Sequence, residues 1–519
     1  MAISWLERTC RAVAAAAGLA GLMSIFAPSA AHADPASEAA AAALFDKVVS
    51  SPTRLRIFLQ QMPKGGDLHN HLGGAPYAED YLRWAAVSGF CVDDAGTAVL
   101  PPPCPETKAV KTLGERDPFG FARLVDGLST RGLQKGVGGN EVSGHTQFFA
   151  SFGRFGPVSR AEVAKAIVAT RRLAAGDRVS YIELTHNPNA LIEYTLAAAD
   201  VPLDASGLAA MYTREIDAIA PVLKRAKAEL GADEAKVRKS LDCGGAAADP
   251  ACAVAIHFLA WGWRDLPPAR AFRSLILAFA MADSDPRFVG VNIVQPEDWV
   301  IALRDYDLHM AMFRFLETKY PRVRRTLHAG ELAFGSVPPP DLHNHIRKAI
   351  DAGAQRIGHG TAIAFEDDAL GTMARMARDG IAVEINLTSN DVILGVKGGD
   401  HPLDLYRRLG VPVVLSTDDE GILRTDMTNE YMRAATEHGL RYPDLKAVAR
   451  TSLDRSFIPG ESLWEKGDVG SVVAACAASL SGQTCQTFLR SSEKARLQVD
   501  LEVQFDRFER KEMIGLSPS

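Results

Sequence analysis

The chain has 519 residues with a formal net charge of −6, and 47% of its residues are hydrophobic and 23% charged. That composition supports a large buried core and excludes a disordered or collagen-like chain. With no basic excess, the balance argues against nucleic acid or anionic lipid as a partner.

Residues 1–33 read as a signal peptide. Arg8 and Arg11 precede an apolar run from Ala12 to Ala27, and Ala31-His32-Ala33 forms a small-x-small cleavage site before Asp34. The run is shorter than the ~20 residues of a membrane-spanning helix. The expectation is an exported protein, periplasmic or secreted, with no membrane attachment after cleavage. Residues 34–62 read as an N-terminal helical segment, Ala-rich from Ser37 to Phe45 and ending before Pro63.

From residue 63 to about 465 the chain alternates short β-rich runs with amphipathic helical stretches. The predicted strands are Gly66–His71, Val179–Thr185, Ala253–Ala260, Phe288–Val294, Arg325–His328, Arg356–Gly358, Ala382–Leu387 and Val411–Ser416. Helical patterns between them include Arg160–Ala174, Tyr212–Leu230, Leu308–Tyr320, Asp341–Ala352 and Asp368–Asp379. Such alternation predicts an α/β fold, a (β/α)8 TIM barrel. Insertions at about 88–145 and 231–252 read as loop excursions, and residues 466–519 as a C-terminal helical extension.

The chain has seven cysteines. Cys10 leaves with the signal peptide, and the others form three local couples, Cys91/Cys104, Cys243/Cys252 and Cys476/Cys485. Pairing within couples is one of 15 connectivities. It is favoured because each couple sits in a loop-like insert, where closure contributes roughly 2–3 kcal/mol.

Chemistry concentrates at the ends of the apolar runs. In a strand, side chains i and i+2 share a face, so His69 and His71 present two imidazoles to one side. His328, in His328-Ala-Gly-Glu331, and Asp418, in Ser416-Thr-Asp-Asp419, supply a third nitrogen and a carboxylate. Barrel strand ends converge on one face, where this quartet suits Zn²⁺ with one position open. Glu331 is placed to donate or accept a proton, and His359, between two glycines, to act as a base or to orient water. Asp419 is free to contact substrate. His186, His257, His343 and His345 receive no role.

Taken together, the motifs resemble the adenosine deaminase family of amidohydrolase barrels: His-x-His, His-Ala-Gly-Glu, Arg356-Ile-Gly-His-Gly360 and Thr-Asp-Asp occur in the family's order. The resemblance runs from about Met62 to Phe457 and takes in Phe288-Val-Gly-Val-Asn292 and the aromatic segment Phe148–Phe152. It implies one zinc per subunit, held by His69, His71, His328 and Asp418. It also implies addition of activated water to C6 of a purine. Glu331 would protonate N1, His359 would orient the attacking oxygen and take its proton, and the metal ligands His71 and Asp418 would border the reaction centre. The Gly290 amide would bond N3, and a protonated Asp419 would bond N7.

The implied activity is hydrolytic deamination of adenosine and 2′-deoxyadenosine. The alternatives are another purine, such as adenine or a modified nucleoside, or a related zinc amidohydrolase acting on a non-purine. The leader and the first insertion are similar to those of secreted, growth-factor-like deaminases, and a homodimer is compatible with that. One position departs from the family. Where many members carry an acidic residue that contacts the sugar, this chain has Gly73, so ribose contacts are expected from the insertion or from Gln295-Pro-Glu-Asp298.

Overall fold

The computed structural model describes residues 35–131, 133 and 142–511; the expected signal peptide lies outside them. The strands that build the barrel are β1 Gly65–His71, β2 Val179–Thr185, β3 Ala255–Trp263, β4 Phe288–Val294, β5 Thr326–Ala329, β6 Arg356–His359, β7 Ala382–Ile385 and β8 Val413–Leu415. They form two four-stranded parallel sheets, β1 to β4 and β5 to β8, each in sequence order. Parallel bridges Val291–Arg325 and Asn70–Asp418 join the sheets on both sides. The barrel is therefore closed, as the alternating pattern predicts.

Helices cover the outside, which is why the strands read as apolar runs. The helix Pro268–Ser284 shows the logic. Proline opens it, where no N–H is needed, and Phe272, Leu275, Ile276 and Phe279 recur at helical spacing and are buried. In the helix Ala369–Asp379 the Asp368 side chain caps the first turn through the Gly371 amide, and Gly380 ends it at φ 70°.

The two ends of the described chain pack together. Phe58 of the helix Pro52–Gln61 stacks edge-on against Phe45, Tyr442 and Phe508 at centroid distances of 5.7, 5.9 and 5.2 Å. Lys446 Nζ lies 2.6 Å from Glu509 and 2.8 Å from Glu38, tying both termini to the helix Tyr442–Arg455. That helix rests on β1 and β8.

The helix expected over Tyr212–Leu230 is split into Leu208–Glu215 and Ala220–Ser240. Pro221 lacks an amide hydrogen and starts the second helix. Residues 231–240, expected as loop, continue that helix. The first insertion likewise contains a short hairpin, Cys91–Val92 with Val99–Leu100, and helices Val110–Arg116 and Pro118–Gly127. All three cysteine couples are disulfide-bonded, with Cα–Cα distances of 5.7, 5.6 and 4.5 Å.

Candidate active site

Closure of the barrel brings the predicted residues to one mouth. The β1–β8 seam does this directly: the Asp418 amide donates to the His69 carbonyl at 2.9 Å, and the His71 amide to the Asp418 carbonyl at 3.0 Å. His359 and Asp418 adopt left-handed backbone, at φ 66° and 59°. Such conformations in non-glycine residues cost about 1–3 kcal/mol and cluster at functional sites. Here His359 ends β6 and Asp418 follows the end of β8, and both turn the chain across the mouth.

His69, His71, His328 and Asp418 place one donor atom each within 4.8 Å of the others. His69 Nε2 is 3.3 Å from His71 Nε2 and 3.5 Å from Asp418 Oδ1, and His71 Nε2 is 3.4 Å from that oxygen. These three separations match edges of a tetrahedron with bonds of about 2.0–2.1 Å, the length of a zinc–imidazole bond. The outer partners fix which nitrogen faces inward. His69 Nδ1 meets Glu384 at 2.7 Å, and His328 Nδ1 meets Asn292 Oδ1 at 2.9 Å. Each Nε2 thereby faces the cage. Burial works to lower His69, but Asp418 and Glu384 raise it to about 10, so a cation there would take the place of its Nε2 proton. Ser389 Oγ donates to Asp418 Oδ2 at 2.7 Å. Burial pushes His71 down to about 4 and His328 well below its ordinary value, so both are neutral, as metal ligation requires. Burial works to raise Asp418, but the His69, His359 and His71 imidazoles overcome it and keep the carboxylate ionised. The donor set fits a divalent metal.

Glu331 lies beside this cage, its Oε1 3.7 Å from His359 Nε2. Burial, with the charges of Asp418 and Glu297, pushes its carboxyl well above the usual range. Burial and the adjoining Asp418 charge do the same to Asp419. Two close approaches require glycine. A Cβ on Gly358 would sit 2.7 Å from the His69 ring, and one on Gly74 only 1.7 Å from Asp419 Oδ1.

A cavity of about 200 Å³ opens above these groups. Phe148, Phe149 and Phe152 of the helix Gly144–Ala161 form one wall, and Trp261 near the end of β3 belongs to another. Thr185, Val294, Gln295 and Gly73 also line it, and among the described lining residues there is no lysine or arginine.

Gly290 is not at this cavity. A Cβ there would meet Phe457 and the Arg324 carbonyl, so Gly290 sits deeper in β4, and Val294 and Gln295 are the residues of that segment at the mouth. Glu297, in the loop that was one expected source of ribose contacts, is turned inward. It accepts the Gly330 and Glu331 amides at 3.1 and 2.9 Å and lies 2.6 Å from His345 Nδ1. Burial works against its charge, but His345 and Arg264 bring Glu297 down to about 2. It therefore anchors the turn that carries Glu331. Arg264 adds to that anchor, donating to the His328 carbonyl at 2.7 Å. Sequence reasoning missed Glu384, Arg264 and His345; for Glu384 and Arg264 the one available signal was a charged residue inside or beside an apolar strand, and His345, at the start of a helix, gave none.

A closed parallel barrel with a His/Asp cage at its mouth defines a metal-dependent amidohydrolase. A family model described as adenosine deaminase matches residues 158–466, more than half of the chain, and the chain belongs to that family. It is similar to the adenosine deaminase of Serratia proteamaculans, with 36% identity over 137 residues, 26% of this chain and 38% of the relative. It is also similar to the aminodeoxyfutalosine deaminase of Streptomyces coelicolor, with 39% identity over 116 residues, 22% of this chain and 29% of the relative. The matched segments thus span well under half the length of these relatives. A zinc-bound amidohydrolase from Burkholderia ambifaria shares the fold at a TM-score of 0.51 and 17% identity, over 86% of this chain and 94% of that one.

Proposed function

We propose that the protein is a zinc-dependent deaminase that releases ammonia from C6 of an uncharged adenine nucleoside, adenosine or 2′-deoxyadenosine. The observation that carries this reading is the buried, proton-holding Glu331 carboxyl beside the His69/His71/His328/Asp418 cage. Zinc held there would supply Lewis acidity and lower the pKa of water to about 7. Glu331 protonates N1, which makes C6 electrophilic. His359 faces the attacking oxygen. The raised Asp419 carboxyl donates to N7, which carries no proton and can only accept. Gln295 takes the N3 side in place of Gly290. The aromatic walls flank the base and exclude water. The three disulfides support export, because such bonds persist in oxidising compartments.

A substrate panel tests the reading. Adenosine and deoxyadenosine should be converted with release of ammonia. AMP should be at least about tenfold poorer in kcat/KM, because the described residues lining the cavity offer its phosphate no cation. Preference for AMP, or hydrolysis of amides or esters with no action on any purine, overturns it. The aromatic wall favours a second reading, an adenine nucleoside with an apolar 5′ substituent, which belongs in the same panel.

Gly73 offers a second test. It lines the cavity, and a Cβ there would have only Ser159 Oγ nearby, at 3.8 Å. Gly73→Asp should lower KM for adenosine by about tenfold, since a hydrogen bond to a charged group contributes about 1.5–3 kcal/mol. KM for adenine should not change. An unaltered adenosine KM means the sugar lies elsewhere.

A further inference from the structure

We infer that Asn390 and His401 are positioning residues that fix the tautomer of His359, so that His359 turns an N–H, not a lone pair, toward the reaction centre. The inference rests on the reading that His359 faces the attacking oxygen. The direction of one hydrogen bond in the chain is fixed by its donor. The Leu403 backbone amide lies 3.2 Å from His401 Nδ1. A backbone N–H only donates, so His401 Nδ1 carries a lone pair. Burial, with His438 and Arg433 nearby, pushes His401 down to about 3, so the ring is neutral and its one proton sits on Nε2.

His401 Nε2 lies 3.0 Å from the Asn390 side chain. Because this nitrogen donates, the Asn390 atom facing it is the oxygen. That removes the usual ambiguity of an amide's orientation and aims the Asn390 NH2 at His359 Nδ1, 3.0 Å away. The Asn386 side-chain amide lies 3.4 Å from the same nitrogen and 3.5 Å from Nε2, so it does not choose between them. A proton on His359 Nδ1 would face the Asn390 NH2, which only donates. With Nδ1 accepting from Asn390, the ring proton of His359 resides on Nε2, the atom 3.7 Å from Glu331.

This reverses the part expected of His359. With Nε2–H toward the cavity it donates a hydrogen bond to the oxygen that adds at C6, and it cannot take that oxygen's proton. The acceptor is then Glu331. Its carboxyl gives a proton to N1, and the resulting carboxylate takes one from the attacking water as the O–C6 bond forms. It next protonates the amine as the C6–N bond breaks, and finally takes the proton of the C6 hydroxyl, leaving the C6 carbonyl, ammonia and the carboxyl restored.

The test uses the zinc-loaded chain labelled with ¹⁵N-histidine, with the His359 signals identified by their loss in His359→Asn. The wild type should show a protonated Nε2 and an unprotonated Nδ1. In Asn390→Asp the carboxylate accepts from both rings and draws the His359 proton to Nδ1. The two nitrogen signatures should exchange at unchanged zinc content, kcat should fall by about tenfold or more, and KM should stay within about threefold. His401→Gln, whose amide still donates to Asn390, should keep the wild-type pattern. A wild-type His359 protonated at Nδ1 overturns the inference. So does Asn390→Asp with exchanged signatures and kcat within about twofold of wild type. If Asn390→Asp does not fold, the wild-type spectrum decides. Because that spectrum needs no substrate, failure of the substrate panel leaves this inference separately testable.

Discussion

Glu331→Gln should abolish most turnover while leaving the metal site and the fold intact. Gln keeps the volume and an oxygen but has no acidic proton for N1. Loss of a positioned acid lowers rate by about 10²–10⁴. Because the proton is needed in the transition state, the loss should fall on kcat and kcat/KM together. Glu331 is not among the four converging ligands, so zinc measured by mass spectrometry should stay at one equivalent.

Stability should not suffer. The folded-state pKa of Glu331 is raised above its ordinary 4.5. The folded protein thus binds this proton more tightly than the unfolded chain, and the group's effect on stability worsens as pH rises from about 4.5 toward the raised value. Gln removes that penalty, so the melting temperature at neutral pH should equal or exceed that of the wild type. Substantial turnover in Glu331→Gln, or a variant without zinc, would sink the assignment.

Glu384→Ala should damage fold and metal site at once. Glu384 is fully buried. It holds His69 Nδ1 at 2.7 Å, the Thr326 hydroxyl at 2.7 Å and Arg356 Nε at 2.5 Å, and Arg356 reaches on to Glu183 at 2.5 Å. Removing one partner of a buried ion pair costs about 3–5 kcal/mol, because the remaining charge loses its compensation. That is a large part of the 5–15 kcal/mol by which a domain is typically stable. Losing the carboxylate behind a metal-bound histidine lowers metal affinity by about 10–100-fold.

The pH dependence carries a further sign. Burial works to raise Glu384, but Arg356 and His69 bring it down to about 2. Its contribution is therefore complete above about pH 4.5 and is lost as pH falls toward about 2. Glu384→Ala should melt lower at pH 7, and the difference should shrink in acid. Unchanged melting and unchanged zinc retention against a chelator would show that His69 needs no such support.

The barrel was legible because each strand is a short apolar run ending in a polar motif, and hydropathy reports burial directly. The cage was legible for a related reason. His69 and His71 share a face by strand geometry alone, and His328 and Asp418 each end a run. Position along a strand was not legible. Gly290 and Gln295 lie in one apolar segment, and only the pairing of Trp261 with Asn292 and of Val291 with Arg325 sets which of them reaches the mouth. The end of β3 was underestimated in the same way: Trp261, outside the expected strand, extends it and joins the wall of the cavity.

By itself, then, the sequence determined the closed α/β architecture, the four converging donors and the acid beside them. These follow from local periodicity and from the rule that strand ends meet. Only the tertiary structure decided how those groups are held and poised. Glu384 behind His69, Glu297 behind Glu331 and the His401–Asn390–His359 chain each join residues from separate strands, helices or loops. A hydrogen bond between such residues depends on register and distance, and neither is encoded in the local pattern around either partner.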